Sequence, residues 1–182
     1  MNKITPHLWF DNQAREAGAF YTSVFPGSRV KSTTTLHDTP SGTAEIVTIE
    51  LAGQELMLLS AGPLFQFTPA ISFLVACETK EEVDALWAEL SRGGKPMMEL
   101  GSYPFSERYG WTADRYGVSW QVMYANGRPI RQKITPMLMF TEKQAGKAEE
   151  AIELYVDVFP TPRSSQTCSV TAQAKSRTSR GR

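Results

Sequence analysis

The sequence predicts an α+β fold: two βαβββ units in tandem, followed by an incomplete third βα unit. Three observations point there. First, Lys3–Pro26 reads KITPHLWFDNQAREAGAFYTSVFP and Lys133–Pro160 reads KITPMLMFTEKQAGKAEEAIELYVDVFP. Both copies open on Lys-Ile-Thr-Pro and close on Val-Phe-Pro, and such internal repetition is the first sign of a modular architecture. Second, short alternating apolar runs bounded by Gly, Pro and Asn read as strands. Third, the order of one strand, one helix and three strands restarts after the Gly- and Pro-containing stretch Ser60–Pro69.

Taken in order, Ile4–Phe10 is an apolar, aromatic first strand, with Pro6 near its start where a missing N–H is tolerated. Asp11 or Asn12 is expected to cap a helix over Ala14–Val24, with Ala17, Phe20, Tyr21 and Val24 on one face. Phe25-Pro26-Gly27-Ser28 stops that helix. Arg29–Leu36 is the second strand, His37–Gly42 a turn and Ala44–Leu51 the third strand. Ala52-Gly53-Gln54 is a tight hairpin leading to a fourth strand, Glu55–Leu59. The second unit has a strand at Ala70–Cys77 and a helix capped by Thr79 that runs to about Leu90, with Val83, Leu86, Trp87 and Leu90 on one face. Three short strands follow at Met97–Leu100, Gly110–Asp114 and Val118–Tyr124. The expected organisation is a complete domain over residues 1–125, a linker at 126–132, a strand and helix over 133–160, and a disordered polar tail at 161–182. That tail has almost no apolar residues to offset the entropy of ordering. Its abrupt start suggests truncation of a longer, four-unit chain. The apolar residues Ile134, Leu138, Phe140, Ile152, Leu154 and Tyr155 are expected to find cover on the chain's own barrel or on a partner subunit.

Composition narrows the function. Lys+Arg and Asp+Glu both number 19, so the formal charge is zero, which argues against nucleic acid or an anionic membrane as partner. Two cysteines, Cys77 in an apolar run and Cys168 in the tail, make neither a disulfide framework nor a zinc knuckle. No apolar stretch approaches the ~20 residues of a membrane helix, and no leader pattern opens the chain, so a cytoplasmic protein is expected.

The segments Ile4–Ser28, Gly53–Ser60, Thr68–Gly94 and Phe105–Met123, with FYTSVFPGS after the first helix and DRYGVSWQV at the last strand, resemble the vicinal oxygen chelate superfamily. This group holds glyoxalases, bleomycin-resistance proteins and extradiol dioxygenases. The likeness is to its PhnB-like branch, often labelled 3-demethylubiquinone-9 3-methyltransferase. It implies eight strands curled into a half-open barrel around a pocket, and a homodimer with modules paired within or across subunits. It also implies metal-ligand positions on the first and fourth strands of each unit, which map to His7, Met57, Ala70 and Gln121. Only His7 is a good ligand there, whereas a catalytic metal needs about three, so no metal cofactor is expected.

Candidate site residues are therefore His7, Met57, Gln121, Phe105 and Trp111. His7 shares the expected barrel interior with Gln121, either as general base or as a ligand orienter, or simply as a buried histidine bonded to Gln121. His37 beside Asp38 reads as a solvated turn pair. The aromatics Trp9, Phe65, Phe67, Tyr103, Phe105, Tyr109, Trp111 and Trp120 lie near the pocket, with Phe105–Trp111 a candidate lid; strand alternation could instead turn Trp9 and Trp120 to the helix-covered face. No Gly-x-Gly-x-x-Gly loop, P-loop, Gly-x-Ser-x-Gly or HExxH occurs. The functional expectation is a metal-independent binder of a small aromatic or oxygenated molecule. The alternatives are a lyase, dioxygenase or methyltransferase of the superfamily using His7 as base or metal ligand, and a truncated product without activity.

Overall fold

The computed structural model describes residues 4–40 and 42–159. The disorder expected for 161–182 lies outside the described residues. The chain divides into two units, one ending at Leu138 and one starting at Met139.

The first unit carries β1 (His7–Phe10), α1 (Ala14–Val24), β2 (Arg29–Thr39), β3 (Gly42–Leu51) and β4 (Gln54–Ser60). These are followed by β5 (Ile71–Cys77), α2 (Lys80–Leu90), β6 (Lys95–Tyr103), β7 (Ser106–Ala113), β8 (Ser119–Tyr124) and β9 (Ile134–Leu138). The two βαβββ repeats are therefore present. The strands expected as one half-open barrel are divided between two hydrogen-bonded sheets, of order β1-β4-β3-β2 and β6-β7-β8-β5-β9. β1 runs parallel to β4 and β5 parallel to β8, while β9 adds antiparallel to β5. The strand expected to open a partial second domain thus completes a sheet of the first unit. The second unit holds a 3-10 turn at Glu142–Gln144 and α3 (Ala148–Val158), whose Leu154, Tyr155 and Val156 are exposed.

Burial follows strand and helix periodicity. Leu8, Phe10, Val47, Ile49, Leu56 and Leu58 of the first sheet pack on Ala14, Ala17 and Tyr21 of α1 in one core with Phe73, Val75, Trp120, Val122 and Ile134 of the second sheet. The buried face of α1 also includes Gly18, where an added Cβ would lie 3.3 Å from Val47, so the helix seats closely on the sheet. Asp11 and Asn12 do not cap α1. Its first free amide, that of Ala14, donates to Ser60 Oγ at 2.9 Å, so β4 supplies the cap. Thr79 does cap α2, accepting from the Glu82 amide at 3.1 Å.

Several strand boundaries differ from the expectation. β2 runs on through His37 and Asp38 to Thr39, because Asp38 adopts φ 58° at an irregularity in the β2–β3 register and the ladder resumes at Thr39–Gly42. β6 extends to Tyr103. β7 begins at Ser106, so the stretch expected as a lid loop is strand from Ser106 onward. Its mixed residues conceal a period of two, with Tyr109 and Trp111 on one face and Gly110 and Thr112 on the other. No helix among the described residues is long and apolar enough to cross a membrane.

Candidate functional site

Strand alternation assigns the two faces of each sheet. In the first sheet Leu8 and Phe10 enter the core, so His7 and Trp9 lie on the opposite face, with His7 paired to Met57 and Trp9 to Leu59. In the second sheet Phe73, Val75, Trp120 and Val122 enter the core. Ser72, Leu74, Gln121, Met123, Tyr109 and Trp111 therefore share the outer face. Trp120 faces the helices and is wholly buried. Trp9 does not; its indole N–H donates to Gly62 O at 2.8 Å and its ring meets Phe65 edge-on.

The polar centre of the second face is a relay across three strands. Tyr109 Oη on β7 donates to Gln121 Oε1 on β8 at 2.7 Å, and Gln121 Nε2 donates to Ser72 Oγ on β5 at 2.7 Å. Burial, with the nearby Tyr103 hydroxyl adding to it, pushes the Tyr109 phenol well above its ordinary range, so it stays protonated and keeps its role as donor. In this arrangement the carboxamide oxygen is held by Tyr109 and one amide hydrogen by Ser72, which leaves the second amide hydrogen and the Ser72 hydroxyl hydrogen to donate elsewhere. Beside the relay stands an aromatic wall. The ring centroids of Phe105 and Tyr109 are 4.9 Å apart and edge-on, and those of Tyr103 and Phe105 are stacked at 5.7 Å. Trp111 lies across from Gln121 and donates to Ser119 Oγ at 2.8 Å. β9 places Met137 directly opposite Ser72.

The expected residues therefore fall into two groups. Gln121, Phe105 and Trp111 belong to the second sheet, whereas His7, exposed, and Met57, half-buried, belong to the first. The carboxamide of Gln121 is engaged by Tyr109 and Ser72 within its own sheet rather than by His7. Ala70 precedes β5. The residue that stands against Gln121 as His7 stands against Met57 is Leu74. Ser72 was not singled out from the sequence, although it alternates with the core residues Phe73 and Val75, a period that places it on the outer face.

The metal implied by the superfamily does not fit these residues. The four mapped positions, with Leu74 in place of Ala70, offer one imidazole, one thioether, one alkyl group and one amide already bonded at both ends. Among the described residues no group of three or more His, Cys, Asp or Glu side chains is placed to hold an ion. Cys77 is a buried core thiol pushed up to about 12 by burial, and so is not a nucleophile at neutral pH.

Two open recesses of the surface lie elsewhere. One of about 570 Å³ is bordered by Glu78, Thr79, Glu82, Ile130 and Lys133, and a smaller one of about 380 Å³ lies between the end of α1 and the side of α2. The first is bridged by the Lys133–Glu82 ion pair, and neither brings together groups suited to recognise a ligand. The convergent polar and aromatic groups are on the outer sheet face.

No curated protein matches the chain. A family model described as 3-demethylubiquinone-9 3-methyltransferase matches residues 2–123. Among solved structures, a PhnB protein from Bacillus cereus bearing that same description is 42% identical, with a TM-score of 0.63 over 68% of this chain and 100% of its own. A glyoxalase family protein from Bacillus cereus is 13% identical, with a TM-score of 0.51 over 68% of this chain and 95% of its own. The fosfomycin resistance protein FosX from Listeria monocytogenes is 14% identical, with a TM-score of 0.50 over 67% of this chain and 91% of its own. The last two likenesses concern the fold.

Proposed function

The chain belongs to the family described as 3-demethylubiquinone-9 3-methyltransferase, and from that premise we propose that it binds a small oxygenated or aromatic molecule without a metal. The observation that carries this reading is the Tyr109–Gln121–Ser72 relay beside the Tyr103–Phe105–Tyr109 wall. The free amide hydrogen of Gln121 and the hydroxyl hydrogen of Ser72 are two donors for a ligand oxygen, and the wall receives an apolar or aromatic body. A few fixed polar groups against aromatic surface is the usual composition of a small-molecule site.

Methyl transfer, which the family description names, is not the reading favoured. The turn from β1 into α1 is Asp11-Asn12-Gln13 and that from β5 into α2 is Glu78-Thr79. Neither contains the glycines that let a nucleotide-type cofactor approach a helix N-terminus.

The test is a binding screen of phenols, aromatic carbonyls and quinones against the full chain after metal chelation, read by thermal shift and tryptophan fluorescence. A hit should survive chelation. Gln121→Ala should weaken it roughly tenfold, the worth of about one hydrogen bond to a ligand oxygen. Binding that vanishes with the chelator and returns with a divalent ion would overturn the metal-independent reading.

A further inference from the structure

Ser72 is buried, and its hydroxyl oxygen accepts from Gln121 Nε2 at 2.7 Å. Its own hydrogen makes no hydrogen bond to another of the described residues. A buried hydroxyl is both a donor and an acceptor, so this one is half used.

β9 decides what stands beside that hydrogen. The Ala76 amide donates to Lys133 O at 2.9 Å, and the same ladder sets Thr135 against Leu74 and Met137 against Ser72. Directly opposed side chains of an antiparallel pair share a face, with Cβ atoms about 4.5–5.5 Å apart. The Met137 thioether thus lies within side-chain reach of the Ser72 hydroxyl, and a thioether sulfur is only a weak acceptor. Met137 is also the accessible methionine of this face. It is 39% exposed, whereas Met98, opposite Trp111, and Met123, opposite Tyr109, are half-buried.

We propose that Met137 is a site of reversible oxidation by a hydroperoxide, and that its sulfoxide oxygen takes the Ser72 hydrogen and so closes one of the two donors of the relay. In the oxidation the sulfur lone pair attacks the distal peroxide oxygen. An S–O bond forms as the O–O bond breaks, the sulfur is oxidised and the peroxide is reduced. The proton of the attacked oxygen passes to the departing one, which leaves as water or an alcohol. An apolar, flexible side chain thereby becomes a polar one with a strong acceptor, a change that sulfoxide reductases reverse. The sulfoxide oxygen then occupies the donor that a ligand oxygen would use. That consequence rests on the ligand-binding reading above; the oxidation and the internal hydrogen bond do not.

The experiment treats the full chain with dilute hydrogen peroxide and locates the modified methionines by peptide mass spectrometry. Met137 should take up oxygen several-fold faster than Met57, Met98 and Met123, and methionine sulfoxide reductases with a dithiol should remove it. The bond is read from thermal midpoints in a Met139→Leu background, which removes the exposed methionine nearest in sequence. Oxidation should lower the midpoint more in Ser72→Ala than in the chain that keeps Ser72. Met137→Gln places an amide oxygen where the sulfoxide oxygen would stand, and should show the same dependence on Ser72 without peroxide. The side-chain amide resonances of Gln121, which donates to the same hydroxyl, should shift on oxidation, a readout that needs no Ser72 variant. The proposal is overturned if Met137 reacts no faster than the half-buried methionines. It is equally overturned if oxidation and Met137→Gln act alike with and without the Ser72 hydroxyl, or if the Gln121 resonances do not move.

The ligand arm uses acetophenone, an aromatic carbonyl, followed by tryptophan fluorescence. Oxidation should weaken its binding roughly tenfold, the worth of about one hydrogen bond, and the reductases should restore it. Coupling of Met137 to Ser72 in a chain that binds no carbonyl compound would remove the ligand reading and keep the oxidation site. Acetophenone binding that ignores the oxidation state would keep the ligand reading and overturn the closing of the donor.

Discussion

Asp114 is the residue on which the two repeats meet. It is buried in the turn between β7 and β8, and each of its oxygens is used. Oδ1 accepts from the amides of Tyr116 and Val118 at 2.8 and 3.0 Å, while Oδ2 accepts from Tyr21 Oη of α1 at 2.7 Å and from Trp120 Nε1 at 2.8 Å. Burial pushes its carboxyl above the usual carboxylate range, and the four donors offset only part of that. Asp114→Asn keeps the shape but sets an NH₂ against the indole N–H, which can only donate. The Tyr21 hydroxyl can turn to accept, and Trp120 cannot. The expected loss is about 1–3 kcal/mol of stability, read from urea denaturation at neutral pH. The pH dependence has a fixed sign. A carboxyl raised in the folded state binds its proton more tightly there than in the unfolded chain, so lowering the pH through the window between its unfolded and raised values adds stability. The wild-type margin over Asp114→Asn should therefore widen toward acid in that window and stay constant above it.

At the scale of elements, α2 lies on β7 through the Asp84–Arg108 and Lys80–Glu107 ion pairs and through one contact that leaves no room for a side chain. A Cβ at Gly110 would come within 2.5 Å of the ring of Trp87, so the helix reaches its sheet only because position 110 carries no side chain. Gly110→Ala should cost about 1–3 kcal/mol by overpacking. Shrinking the ring in Gly110→Ala/Trp87→Leu should recover part of the loss, measured as a favourable coupling in a double-mutant cycle. Strict additivity would mean that the backbone, rather than the indole, resists the methyl group. The helix and strand periods of such elements were legible in the sequence, and so were both repeats. What was not legible depends on register. The resemblance pointed to Ala70 as the counterpart of His7, but the pairing of β5 with β8 places Leu74 there. Likewise the resemblance placed Gln121 at a fourth-strand ligand position. Its partners Tyr109 and Ser72 lie on other strands, and a one-residue slip would have sent either to the opposite face.

At the scale of the whole first unit, the question is whether the two repeats fold as one body. Each has its own sheet and helix, as an independent module would. The packing argues for one body nevertheless. Tyr21 of α1 lies 5.3 Å from Trp120 of the second sheet between ring centroids. Phe25, just past α1, lies 5.5 Å from the same ring, and Phe73 of β5 lies 5.2 Å from it. Aromatic side chains of that size carry much of the burial energy of a small core, and here one cluster serves both repeats. Separating the repeats would expose that cluster and strip the Asp114 carboxylate of its Tyr21 donor, so neither half retains a closed core alone. Unfolding should accordingly be a single transition. Urea titrations followed by the fluorescence of a chain keeping only Trp9, in the first repeat, and of one keeping only Trp120, in the second, should have midpoints displaced from each other by no more than the substitutions themselves displace the far-UV dichroism. Should the Trp120 signal persist in urea after the Trp9 signal is lost, the second repeat with β9 would be a unit stable on its own, and the shared aromatic cluster a contact between two domains rather than the centre of one.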